Sequence, residues 1–160
     1  MSKSDFSEIL AKIPYGVSVV TMGRGGAKVE NGLTVSWMSQ VSFNPPMLMV
    51  AVDKLHYSLD LLRSTKNFCV NLLGEDQATL AGRFARQAMT GEDKLADVAQ
   101  RVASSGAAIL TDAVAYFDCE VTSMVETGDH VLVVGRVDDA ATLKDRSPMT
   151  SASGLRYRKR

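Results

Sequence analysis

Two long β-prone runs, Ala113 to Glu126 and His130 to Asp138, stand on either side of Thr127-Gly128-Asp129, and this pattern constrains the fold more than any other stretch of the chain. Residues rich in Val, Thr and aromatic side chains favour strands, and a short Gly- and Asp-containing link returns the chain on itself. The two runs are therefore expected to pair antiparallel. Upstream, Tyr15 to Met22 is β-branched, Gly23-Arg24-Gly25-Gly26 has turn composition, and Leu33 to Phe43 resumes an extended pattern, which predicts a first hairpin. Asn44-Pro45-Pro46 interrupts it, because proline lacks the N–H that a strand ladder uses, and Met47 to Val52 starts a third strand.

Helices fall between these strands. Phe6, Ile9, Leu10 and Ile13 recur at helical spacing ahead of Pro14; residues 56–64 carry Leu59, Leu61 and Leu62 in helical register; and Asp76 to Arg86 suits a third helix. A buried strand is expected over residues 68–73. The Gly- and charge-rich stretch that leads to Asp93 reads as a loop, residues 94–105 fit helix and irregular structure equally, and Ser104-Ser105-Gly106 ends them. About six strands with inserted helices and no alternating βαβ rhythm predict a mainly β chain, an antiparallel barrel rather than a doubly wound sheet. At 160 residues a single domain over 1–160 is expected.

Charge narrows the partners. Eighteen Lys and Arg balance eighteen Asp and Glu, so no net field draws in nucleic acid or an anionic membrane. No run approaches the ~20 apolar residues of a membrane span, and no export signal is visible, so a soluble cytoplasmic protein is expected. Cys69 and Cys119 sit in apolar runs without metal-ligand spacing and read as buried free thiols. Two histidines are too few for a metal cluster, and no metal is expected.

The segment Asn31 to Pro46, NGLTVSWMSQVSFNPP, is the most informative chemically. As one extended strand it points Val35, Trp37, Val41 and Phe43 to one face and Thr34, Ser36, Gln40 and Ser42 to the other. The hydroxyl-bearing row suits either the solvent side of a strand or the polar lining of a ligand cleft. On this parity Trp37 reaches such a cleft only through a bulge or from a second subunit. Lys54-Leu55-His56-Tyr57-Ser58 opens a helix: free N–H groups there, with Ser58 and Lys54, would suit a phosphate, and Ser58 or His56 could equally cap the helix. His130 follows a turn, and Arg83, Phe84 and Lys94 fit either a solvated helix face or a cofactor edge. The Gly23 to Gly26 run matches neither phosphate-binding glycine signature, and no hydrolase motif is present.

These pieces taken together resemble the flavin reductase-like proteins with an FMN-binding split barrel, nearest to flavoredoxins and to the reductase module of diflavin flavoproteins. The resemblance rests on the order and spacing of Tyr15-Gly16-Val17, Asn31-Gly32, Thr34-Val35-Ser36, Ser39 to Pro46, Phe68 to Leu73, Arg83-Phe84-Ala85, Asp93-Lys94-Leu95, Ala115 to Cys119 and Gly128-Asp129-His130. It implies a six-stranded antiparallel Greek-key split barrel. It further implies FMN, with FAD the weaker alternative, held by Asn31, Thr34, Ser36, Trp37, Met38, Ser39, Gln40 and Ser42. Lys54, His56, Tyr57 and Ser58 would lie at the phosphate, Arg83, Phe84 and Lys94 would complete the site, and His130 would be the catalytic residue where nicotinamide docks. A homodimer with flavin at the subunit interface, NAD(P)H as donor and a downstream redox partner protein are implied as well. Its rivals are an FMN electron carrier that does not oxidise nicotinamide and a non-catalytic split-barrel binding protein. The ending Leu155 to Arg160 is shorter and more basic than the family's aromatic ending.

Overall fold

The computed structural model describes residues 3–23, 31–86 and 92–153, with the side chains of 3–5, 31 and 153 not described. Residues 24–26 of the expected turn, part of the Gly- and charge-rich stretch and the basic ending lie outside the described residues. The elements are α1 (Lys3–Leu10), β1 (Ser18–Met22), β2 (Asn31–Val35), β3 (Met38–Ser42), β4 (Met47–Asp53), α2 (Ser58–Thr65), β5 (Asn67–Leu72), α3 (Ala78–Ala85), β6 (Gln100–Val102), β7 (Ala108–Leu110), β8 (Ala115–Glu126) and β9 (His130–Thr142), followed by a 3-10 turn at Ser151–Ser153. The mainly β expectation holds. The ambiguous stretch at 94–105 resolves into a turn followed by β6, which pairs with β7 as a separate two-stranded ribbon.

The main sheet has seven strands in the order β2-β1-β5-β8-β9-β4-β3, every pairing antiparallel. Seven replace six because the expected strand Leu33 to Phe43 is broken at Ser36-Trp37 into β2 and β3. β2 pairs with β1 and β3 with β4, so two strands consecutive in sequence occupy opposite edges of the sheet. Laid flat, seven strands would set those edges roughly 29 Å apart. The three peptide units from Val35 to Met38 reach at most about 11 Å. The sheet must therefore curl until its edges meet at this end.

The curled interior is filled from all sides: Val20 and Met22 of β1, Leu33 and Val35 of β2, Val50 and Val52 of β4, Phe68 and Val70 of β5, Cys119 of β8, and Val131 and Val133 of β9 form one cluster. Leu59 and Leu62 of α2 join it, and α2 packs against β1, β2 and β4, across the closure. α2 stops at Lys66, whose left-handed backbone (φ 57°) returns its N–H to the Leu62 carbonyl at 2.9 Å. The outer face of β1 is buried too. Val17 and Val19 meet Ala81 and Phe84 of α3, and the Thr34 hydroxyl donates to the Ala81 carbonyl at 2.6 Å, which fastens α3 to β2.

Buried polar groups tie the ribbon to the sheet. Asn71 of β5 accepts from the Leu110 N–H at 2.8 Å and donates to the Ala108 carbonyl at 3.3 Å, so its amide is satisfied where no water reaches. Cys69 and Cys119 are buried and free, as expected. Burial and then Asp118 push the Cys119 thiol up to about 12 and raise Cys69 likewise, which makes both poor nucleophiles. Among the described residues no helix is long and apolar enough to cross a membrane.

Gly135 in β9 shows how tightly the interior of the curled sheet is filled. A Cβ there would lie 2.6 and 2.7 Å from the Phe68 ring and 3.0 Å from the Cys119 Cβ, all in the core. Gly135→Ala is expected to lower unfolding stability by about 1–3 kcal/mol, since neither neighbour can withdraw. Urea denaturation would show a reduced midpoint; an unchanged midpoint would mean that the core yields.

Candidate functional site

The closure that curls the sheet also gathers the side chains with useful chemistry. Trp37, in the Ser36-Trp37 link, accepts the Ala51 N–H on its carbonyl at 2.9 Å and remains 41% exposed. Its ring lies 4.7 Å from that of His130, tilted by 42°. Trp37 thus reaches His130 within one chain, because the strand breaks where continuous alternation would have turned the ring away. His130 opens β9 opposite Asp53, the last residue of β4.

The ring of His130 is held from its other side. Nδ1 is 2.6 Å from Asp129 Oδ1, and a carboxylate only accepts, so Nδ1 carries the proton and Nε2 is the ring nitrogen left to meet a ligand. The hydrogen bond to His130 is the main cause that holds the Asp129 carboxyl below its ordinary range. The turn is pinned as well. Thr127 donates to the His130 carbonyl from its N–H at 3.0 Å and from its hydroxyl at 2.9 Å.

His56 shows the opposite arrangement at the start of α2. Its Nδ1 accepts the Ser58 N–H at 3.1 Å, which places the proton of the neutral ring on Nε2. The Leu59 and Asp60 N–H groups donate to the His56 and Tyr57 carbonyls, each at 3.1 Å, and Ser58 itself is fully buried. The Ser58, Leu59 and Asp60 N–H groups that the sequence offered to a phosphate are thus engaged within the chain; the N-cap is Tyr57, without a side-chain capping bond, and the His56 ring before it takes the Ser58 N–H. Tyr57 stacks on His56 at 5.4 Å and is 46% exposed.

The cation near this end is Lys94 rather than Lys54. Burial first, then the charge of Lys94, holds His56 below its ordinary pKa. Lys94 is 7% exposed; its ammonium donates to the Arg86 carbonyl and lies 5.8 Å from the centre of the Phe84 ring. Burial and the Arg86 charge lower its pKa. The turn that carries it is clamped twice, by Arg83 on Asp97 at 2.5 and 3.3 Å and by Arg86 on Glu92 at 2.7 and 2.6 Å. Lys54 turns instead to the β8–β9 turn, where Nζ donates to the Thr127 carbonyl at 3.1 Å.

The other expected positions divide into two groups. Ser36 and Met38 flank Trp37 and are half-buried, and Ser39 and Gln40 are exposed on the edge strand β3, with Ser42 half-buried at its end. Thr34, Arg83 and Phe84 have partners within the chain: Thr34 binds α3, Arg83 forms a partly exposed ion pair with Asp97, and Phe84 is 1% exposed beneath Gly32, whose Cβ would fall 2.8 Å from its ring. Asn31 pairs with Met22 at the outer end of β2. Sequence reasoning assigned no role to Asp129; its place beside the turn histidine was the available signal.

A planar aromatic edge (Trp37), a ring nitrogen (His130 Nε2), a polar strand edge and a buried cation beside a neutral imidazole fit a flat heteroaromatic ligand that carries a phosphate. Among the described residues no cluster that could hold a metal ion is found.

A model of the flavin reductase like domain matches residues 10–159. Diflavin flavoprotein A 1 of Synechocystis sp. is 36% identical over 142 residues, covering 88% of this chain and 24% of that protein. The reductase component of a 4-nitrophenol 4-monooxygenase/4-nitrocatechol 2-monooxygenase of Rhodococcus opacus is 34% identical over 140 residues, covering 88% of this chain and 72% of that protein. Among solved structures, an NADH:FAD oxidoreductase of Streptomyces globisporus superposes with a TM-score of 0.86 at 28% identity, covering 99% of this chain and 94% of the other. The chain spans only about a quarter of the length of the diflavin flavoproteins it matches.

His56 predicts a stability change in acid. Its folded pKa lies below the ordinary 6.5, so the unfolded chain takes up more protons as pH falls from 6.5 toward the folded value, and stability declines over that window. His56→Asn keeps an acceptor for the Ser58 N–H and removes the titration. Thermal melts between pH 7 and 5 should fall less steeply for the variant than for the parent; equal slopes would show that His56 does not sense pH.

Proposed function

Because the chain belongs to the flavin reductase-like family, we propose that it holds a flavin at the Trp37–His130 end of the sheet, reduces it with a reduced nicotinamide dinucleotide and passes the electrons to a separate acceptor. The observation that carries this reading is the Trp37–His130–Asp129 contact chain, which presents an aromatic edge and an oriented ring nitrogen on one rim. A bound flavin would supply the two-electron chemistry. The protein's contribution is to bind, orient and exclude water.

In this reading Trp37, with Ser36, Met38, Ser39, Gln40 and Ser42, lines the ring end, and the Nε2–H of His56 with Lys94 faces the phosphate. His130 Nε2, the accepting nitrogen of the Nδ1–H ring, meets and places the nicotinamide, without acting as an obligatory proton donor. FMN is favoured over FAD, since the chain has no dinucleotide fingerprint. The similar monooxygenase reductase component supports an oxygenase-type acceptor.

A second copy would complete the rim. Phe43 (89% exposed), Leu55 (83%) and Val41 (50%) lie in or beside β3 and the β4–α2 link, and burying such large apolar groups favours association. We take the working unit to be a pair of copies of this domain, with the flavin between them, in a compartment reducing enough to leave both thiols free.

His130→Ala is expected to keep flavin bound while slowing its reduction by NADH or NADPH roughly 10²-fold, the scale of misplacing a reacting partner by about 1 Å. Anaerobic stopped-flow absorbance measures this directly. Rates equal to the parent's would remove His130 from the chemistry, and flavin bands that persist with both nicotinamides in the parent protein would leave an electron carrier instead.

A further inference from the structure

Lys54 is the first residue after β4, and it grips the β8–β9 turn on both sides of Gly128. Its backbone N–H donates to the Asp129 carbonyl at 3.0 Å, its Nζ donates to the Thr127 carbonyl at 3.1 Å, and the Glu126 carboxylate lies 4.0 Å from the same ammonium. The tip of the turn has no packing of its own, since a Cβ added at Gly128 would meet nothing within 4 Å. Where the turn sits, and hence where His130 begins β9, depends on these bonds and on the β4–β9 pairing.

We propose that Asp129 and Lys54 are positioning residues for His130: Asp129 fixes the ring as the Nδ1–H tautomer, and Lys54 holds the turn so that the ring stays against Trp37. This inference rests on the flavin reductase reading and extends it to residues that touch neither substrate nor flavin. Side-chain exposures of 67% for Asp129 and 35% for Lys54 argue against a purely structural purpose, because ion pairs and hydrogen bonds this open to water contribute little to stability. Their geometry, in contrast, decides which ring nitrogen faces a ligand. Trp37 at 4.7 Å limits the ring's rotation on one side, and the Asp129 carboxylate at 2.6 Å fixes it on the other.

His56 provides an internal control, because the Ser58 N–H imposes the opposite tautomer on it. Long-range nitrogen–proton NMR on the full chain, at a pH where both rings are neutral, should show His130 protonated at Nδ1 and His56 at Nε2. In Asp129→Ala, His130 should change to the Nε2–H form while His56 stays as it was. The same variant should reduce FMN with NADH about 10–100-fold more slowly in kcat, with KM for FMN little changed. Lys54→Met should show a smaller loss of the same kind, and Lys54→Arg, which keeps a donor for the Thr127 carbonyl, should restore it.

A His130 ring that keeps Nδ1–H in Asp129→Ala overturns the positioning role of Asp129. Lys54→Met with parental kcat and KM overturns that of Lys54. If the tautomer switches in Asp129→Ala and FMN reduction is unaffected, the positioning stands, and the role of His130 in flavin reduction is what falls.

Discussion

The two-residue link Ser36-Trp37 is the constraint on which the rest of the molecule depends. It joins strands at opposite edges of a seven-stranded sheet, and a link that short forbids an open sheet. The interior cluster, the packing of α2 across the closure and the exposed edge of β3 all follow from it. The break that closes the sheet is also what sets the Trp37 ring against that of His130.

The same closure brings two histidines to one region in opposite states. His56 is tied by a backbone N–H and kept neutral by burial and a nearby ammonium, while His130 is tied by a carboxylate. One sequence thus offers a ring N–H at His56 and an accepting ring nitrogen at His130. Neither property belongs to histidine as such; each is set by the single partner on Nδ1. Lys94 adds a cation whose burial, between Phe84 and two clamped arginine pairs, limits how far it can move.

Much of this was legible in the chain. The β8–β9 hairpin was readable from two β-branched runs around Thr127-Gly128-Asp129, and α2 from its leucine spacing, because both depend on interactions between near neighbours. The break at Ser36-Trp37 was not, since two short strands that alternate in phase look like one long strand, and only their pairing partners distinguish them. The surroundings of Lys54 and Lys94 were not legible for a related reason: hydropathy records that a lysine is costly to bury, not which tertiary neighbours enclose it. Phe84 is core because Gly32 leaves room for its ring, a contact between residues far apart in sequence. Family resemblance supplied the chemistry proposed for these residues, and the structure shows what each of them touches within the chain.

Trp37, the chain's only tryptophan, belongs to the proposed flavin-binding rim, so its fluorescence reports on that rim alone. Emission of Trp37 should be followed while FMN is titrated into flavin-free protein, with bound flavin measured in parallel by equilibrium dialysis. Quenching of Trp37 should saturate together with the bound flavin. Saturable flavin binding that leaves the Trp37 emission unchanged would contradict it, because the ligand would then sit elsewhere on the molecule.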